Sequence, residues 1–231
     1  MAEYEKLSLA EITARMRRAR QDCGLPEAVE SAPLPHIVAV SKTQPGEAIL
    51  PFLAQGHRIF GENRVQEAAA KWPALREKFL DIELHLLGPL QTNKVKEAVA
   101  LFDVIETLDR PRLAEALAAE MARQGKRPAC FIQVNTGEEP QKAGIPPRDL
   151  PELLDLSREK LHLPVAGLMC IPPAGENPAP HFALLKKLAE RHNLPELSMG
   201  MSADYAIAAT LGATYVRVGS AIFGERVAGV Q

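Results

Sequence analysis

The chain has 231 residues, 46% hydrophobic and 24% charged, with 27 Lys and Arg against 29 Asp and Glu for a formal net charge of −2. That length fits one large domain or two small ones, and the near-neutral balance argues against a nucleic-acid binder working through bulk charge. Three widely spaced cysteines, Cys23, Cys130 and Cys170, show no metal-ligand spacing and fit reduced thiols in a cytoplasmic protein.

The N-terminus carries Glu3 and Glu5 and no apolar h-region, so no signal peptide is expected. No apolar stretch nears the ~18 residues that a membrane span needs. Ser8-Leu9-Ala10-Glu11 reads as a capping box that opens a helix running to about Cys23-Gly24. The basic cluster Arg15, Arg17, Arg18 and Arg20 shares that helix with Leu9, Ile12, Met16 and Ala19 at helical spacing, which makes it a solvated outer face.

From there short apolar runs alternate with stretches of helical period. The runs expected as strands are His36–Ser41, Arg58–Gly61, Glu83–Gly88, Val104–Thr107, Ala129–Asn135, Val165–Ile171, Glu196–Met201 and Thr214–Ser220. The helices expected between them are Glu47–Gln55, led in by Pro45, then Asn63–Lys78, Gln91–Leu101, Arg110–Gln124, Pro147–Leu161, Pro178–His192 and Ala203–Leu211. Regular strand–helix alternation predicts an α/β protein with a parallel sheet. Eight units in this length predict a closed (β/α)8 barrel of the TIM type, for which ~250 residues is usual. It is expected as a single domain over 1–231, with 1–35 forming an extra N-terminal helix and lead-in. That helix should fill the outer position left empty after strand eight. The alternative is an open doubly wound sheet, but no G-x-G-x-x-G follows the first strand. The stretch from Pro172 to Pro178 is expected as the longest irregular segment, a loop after strand six.

In such a barrel the chemistry gathers at the C-terminal ends of the strands. Lys42 ends the first strand, where a rigid element can hold an amine for a Schiff base. An exposed lysine has a pKa near ~10.4, and desolvation or a neighbouring cation is needed to free its amine. Arg217, on the strand that closes against the first, is the candidate cation. Met199-Gly200-Met201-Ser202 and Val216-Arg217-Val218-Gly219-Ser220 sit where barrels of this kind bind phosphate, after strands seven and eight. Relief of packing by Gly200 and Gly219 is the competing reading. An amine and a phosphate cradle together point to pyridoxal 5'-phosphate (PLP). A sugar phosphate held by Lys42 is a weaker alternative.

Six blocks carry a resemblance. They are Ala39-Val40-Ser41-Lys42-Thr43, the stretch from Phe60 to Glu67, the stretch from His85 to Lys94, the stretch from Gly167 to Pro173, the stretch from Leu197 to Asp204, and the stretch from Val216 to Gly224. In that order they resemble the YggS/PROSC family of pyridoxal phosphate homeostasis proteins, over essentially the whole chain after the first helix. The resemblance implies a monomeric PLP-binding barrel like the N-terminal domain of alanine racemase. It implies Lys42 as the lysine that forms the internal aldimine. It implies Ser202, Gly219 and Ser220 as phosphate ligands, Arg217 facing the pyridine nitrogen, and Asn63 beside the ring. Met201 is counted with the cofactor contacts and Met169 is not, core packing being the competing reading for both. His85 is expected as a buried, hydrogen-bonded histidine, and Lys94 and Lys142 as solvated lysines or aids to cofactor entry. No metal ligand and no catalytic residue is assigned.

A guanidinium cannot accept a hydrogen bond, so Arg217 would leave the ring nitrogen unprotonated and weaken the ring as an electron sink. A racemase also needs a second acid/base on the other face of its substrate. In the alanine racemase family a tyrosine of a second domain supplies it, whereas Tyr4, Tyr205 and Tyr215 lie in no such motif here. The expectation is a cytoplasmic PLP-holding protein that keeps free PLP low and passes it to PLP-dependent apo-enzymes, with no nucleic-acid or membrane partner. A small PLP-dependent amino-acid racemase is the alternative.

Overall fold

The computed structural model describes residues 6–24 and 32–224. Glu3, Tyr4 and Glu5, and part of the expected lead-in, lie outside the described residues. The runs rich in β-branched and apolar residues form eight parallel strands that close into a barrel in sequence order, β1 to β8. They are β1 His36–Val40, β2 Ile59–Glu62, β3 Glu83–Leu86, β4 Val104–Leu108, β5 Ala129–Val134, β6 Val165–Cys170, β7 Glu196–Met201 and β8 Tyr215–Val218. Closure is made by β1 on β8, with Val38 paired to Arg217 and Ala39 to Val218. Buried on both faces, these strands cannot alternate apolar with polar residues, which is why they read as continuous runs.

The outer layer follows the 3.6-residue pattern: α1 Leu9–Asp22, α2 Gly46–Ala54, α3 Val65–Arg76, α4 Val95–Leu101, α5 Pro111–Gln124, α6 Leu150–Leu154, α7 Pro178–Arg191, α8 Tyr205–Thr210 and α9 Ser220–Phe223. The α1 capping box is present: the Ser8 N–H donates to Glu11 Oε2 at 2.7 Å and the Glu11 N–H to Ser8 Oγ at 3.2 Å. The α1 helix packs on α8 and so takes the position expected of it beside the closing strand. Arg20 is the exception in its basic cluster. It is buried and donates to Ala209 O at 2.9 Å, Ala32 O at 2.7 Å and Pro33 O at 3.1 Å. It therefore ties α1 to α8 and to the lead-in, while its neighbours Arg15, Arg17 and Arg18 lie on the more open face.

Three expectations change. The helix expected over Pro147–Leu161 is broken into a 3₁₀ turn Pro147–Asp149, α6, and a π turn Asp155–Lys160. There the Leu161 N–H reaches back five residues to Leu156 O at 2.9 Å. Among connections made wholly of described residues the longest irregular one is 135–146, after β5, not the segment after β6. It stays ordered because the Asn135 N–H donates to Ile145 O and the Ile145 N–H to Gln133 O, so the loop folds back along β5. Finally, the short helix α9 follows Gly219 directly, where strand was expected to run to Ser220.

Inside the barrel, Val38, Val40 and Leu87 form one apolar group, and Val104, Phe131 and Met169 another. Met169 is thus a core residue. Between these groups lies a chain of polar side chains that bears directly on the site.

Candidate cofactor site

The C-terminal ends of the strands surround a cavity of about 590 Å³. Lys42, in the loop after β1, lines it, as does Asn63 just after β2. So do Met201, the last residue of β7, and Ser202 beside it. On the β8 side it is lined by Arg217, Gly219 and Ser220. The structure therefore brings all seven expected cofactor residues to one opening. Thr43, Ile171 and Phe223, which fall inside the resemblance blocks without an assigned role, line it too, as does Gln44, which falls outside them.

Each of these positions has a local cause. Gly88, after β3, lies so close to the Asn63 backbone that a Cβ there would stand 2.0 Å from Asn63 O. Gly88→Ala is expected to cost about 3 kcal/mol of stability, as overpacking against backbone does. Thermal unfolding of the purified variant checks this, and an unchanged midpoint would show that the Asn63 loop shifts without penalty. The two glycines of the expected phosphate turns divide. Gly200 has φ 92 and would put a Cβ 2.5 Å from Ala208 Cβ, so it serves the approach of α8. Gly219 is the one that lines the cavity. Its N–H and that of Ala221 both donate to Ser202 Oγ, at 3.3 and 3.4 Å, so two main-chain donors from the β8 side converge beside a hydroxyl.

Arg217 reaches the cavity but is nearly buried, 4% exposed. It donates from Nη1 to Ser198 Oγ at 2.7 Å and from Nη2 to Cys170 O at 2.8 Å. Ser198 in turn donates to Glu106 Oε2 at 2.5 Å, and Arg217 Nη1 lies 3.8 Å from that same oxygen. The other Glu106 oxygen pairs with His85 Nδ1 at 2.6 Å, and His85 Nε2 pairs with Glu83 Oε1 at 2.7 Å. This line of groups runs through the barrel from the start of β3 to the cavity.

Burial pushes the His85 imidazole toward its neutral form, but hydrogen bonds and charge from Glu106 and Glu83 outweigh it and raise its pKa to about 9. Burial likewise raises Glu106, yet the hydrogen bond and charge of His85, then Arg217 and Ser198, leave it below the usual carboxylate range. The two carboxylates thus favour the imidazolium form of His85, which does not line the cavity. Burial pushes the Cys170 thiol up to about 12, so its part here is its carbonyl and not its sulfur.

Other candidates stand apart. Lys94 pairs with Glu97 at 3.6 Å and Lys142 with Glu139 at 2.5 Å, and neither lines the cavity. Asn135 is engaged with its own loop, donating from Nδ2 to Glu139 O at 2.8 Å. The residues missed were Glu106 and Ser198, although Glu106 is a charged residue inside an otherwise apolar run, which marks an interior polar partner.

The lining holds a lysine amine, a guanidinium, hydroxyls and convergent N–H groups, and among the described residues no Asp or Glu lines it. That donor set fits a small molecule carrying an aldehyde and a phosphate. Among the described residues no group of His, Cys, Asp and Glu could hold a metal ion, and no helix is long and apolar enough to cross a membrane.

The chain is similar to known proteins over most of its length. Residues 8–227 match the family model described as alanine racemase, N-terminal domain. A protein of Aquifex aeolicus named pyridoxal phosphate homeostasis protein is 42% identical over 199 residues, 82% of this chain and 86% of that one. Its human namesake is 37% identical over 211 residues, 83% of this chain and 77% of that one. PipY of Synechococcus elongatus, solved with PLP bound, is 38% identical with a TM-score of 0.73, covering 91% of this chain and 99% of PipY. An alanine racemase of Clostridium difficile, 14% identical with a TM-score of 0.64, shares the fold over 99% of this chain and 60% of its own.

Proposed function

The chain belongs to the family of pyridoxal phosphate homeostasis proteins, and on that premise we propose that it holds PLP as an aldimine on Lys42. The Lys42 nitrogen attacks the aldehyde carbon, a C=N bond forms, and water leaves. Ser202, Gly219 and Ser220 receive the phosphate, Arg217 faces the ring nitrogen, and Asn63 and Met201 flank the ring. The observation that carries the reading is the cavity itself: one lysine and a set of anion donors, with no carboxylate among the described lining residues. The relatives' printed names and the PLP bound to PipY support it.

The same reading makes the protein a cytoplasmic, single-domain monomer that limits free PLP and passes it to PLP-dependent apo-enzymes. Holding fits better than turnover. Arg217 has two of its nitrogens committed to Ser198 and Cys170 O, so it is a fixed cation that accepts no proton. Tyr215 is no candidate for the second acid/base, because its ring packs inside the barrel against His85 and Phe131. Incubation with PLP followed by borohydride reduction and peptide mass mapping is expected to place a single label on Lys42. A label elsewhere overturns the assignment. Incubation of the loaded protein with single amino-acid enantiomers is expected to leave optical activity unchanged, and a sustained loss would favour the racemase.

A further inference from the structure

The loop carrying Lys42 leaves its backbone groups outside regular structure, and one lysine of the neighbouring helix meets several of them. Lys71 on α3 donates to Ser41 O at 2.9 Å and to Gln44 O at 3.0 Å, so its ammonium bridges the carbonyls on either side of Lys42-Thr43. Glu67, one turn earlier on α3, accepts the Thr43 N–H at 2.5 Å. Thr43 has φ 62, a left-handed conformation that a β-branched residue holds only when its surroundings impose it.

Beneath the loop lies Glu62, the last residue of β2 and wholly buried. Its Oε1 receives the Lys71 ammonium at 2.7 Å, the Ser41 hydroxyl at 2.7 Å and the Trp72 indole N–H at 3.0 Å. Burial raises the pKa of Glu62, with Lys71 opposing that shift, and Glu62 Oε2 has no hydrogen-bond partner among the described residues. Lys71 therefore does two separable things: it offsets a buried carboxylate and it grips the loop.

We propose that Lys71, with Glu67, is a positioning residue for Lys42, fixing the strained turn so that the Lys42 amine is presented to the cavity. This rests on the reading that Lys42 carries the covalent link. Lys71 itself is not among the cavity-lining residues and acts through backbone carbonyls. A group that only neutralised Glu62 would have no need to bind Ser41 O and Gln44 O, and that difference can be measured.

The test compares the whole protein with Lys71→Met, the double variant Lys71→Met/Glu62→Gln, and Glu67→Ala. For each, the thermal midpoint of the unloaded protein is measured. So is the rate at which PLP is lost from the loaded protein to excess hydroxylamine. Lys71→Met is expected to lower the midpoint, because it leaves Glu62 buried without its cation. Neutralising Glu62 in the double variant is expected to recover the midpoint, while PLP loss stays faster than wild type by about tenfold, as misplacement of a reacting group predicts.

Recovery of both properties in the double variant would overturn the proposal, because the role of Lys71 would then be structural only. If the double variant stays unstable, Glu67→Ala decides, since it leaves the Lys71–Glu62 pair in place. Faster loss by about threefold at an unchanged midpoint supports the proposal, and wild-type retention overturns it. A wild-type protein that gives no reducible adduct at Lys42 overturns the reading of the site itself, a failure told apart by needing no variant.

Discussion

Lys42→Ala is expected to abolish the reducible adduct completely while leaving the fold intact. The side chain is only partly buried, in the loop after β1 on the rim of the cavity, so its removal opens no core cavity and stability of the unloaded protein should change by less than about 0.5 kcal/mol. Ligand binding tells a different story. A ligand that binds only the folded state at 100 times its dissociation constant adds about 2.7 kcal/mol of stability. Wild type should therefore show a rise in melting temperature and a visible absorbance band with PLP. The variant should show no band and a much smaller rise, from whatever grip Ser202, Gly219 and Arg217 retain. A variant that still becomes coloured, and whose colour borohydride removes, would assign the linkage to another amine.

The second large effect is expected far from that amine. Glu106→Ala removes the carboxylate that sits between His85 and Arg217 and that accepts from Ser198. All four groups are buried. Breaking a buried pair by deleting one partner typically costs about 3–5 kcal/mol, because the remaining charges lose their counter-charge. Denaturant unfolding of the unloaded variant checks this, and a cost below about 1 kcal/mol would show that the chain of groups carries no such energy.

The same groups set a pH dependence. His85 has its pKa raised in the folded state, from 6.5 to about 9. Its contribution is therefore fully present below about 6.5 and is lost as pH rises through about 9. The shift corresponds to about 3 kcal/mol across that window. Glu106 is shifted the other way, so its contribution is present above the ordinary carboxylate range and is lost as pH falls. Stability measured at pH 6 and pH 9.5 should fall in wild type and change much less in His85→Leu. Equal slopes in the two proteins would contradict the pairing.

Much of this was legible in the sequence for one reason: a parallel barrel repeats a simple unit, and each unit writes its strand as an apolar run. The positions of Lys42, Ser202 and Gly219 at strand ends followed from that periodicity, and the cavity gathers them as expected. What stayed hidden depends on groups distant in sequence. Glu106, Ser198 and Arg217 form one line only because β4, β7 and β8 face a common interior. Lys71 looks like any surface lysine on α3 until the β1 loop is folded over it. The break in the 147–161 helix was hidden too, because a π turn changes hydrogen bonding without changing composition. The place of the loop after β5 follows from the expected bounds, but its fold does not, because Ile145 returns to pair with Val134, which no turn motif signals.

Barrel closure of β1 on β8, with the Leu7 N–H bonded to Ala221 O at 2.7 Å, has a consequence for the chain as it is being made. Lys42 leaves the ribosome well before the main-chain donors at Gly219 and Ala221, which lie about 180 residues further along the chain. A nascent chain thus carries the Lys42 amine long before the Gly219 and Ala221 main-chain donors stand near it, and the cavity is completed in one late step when the two ends of the sheet meet.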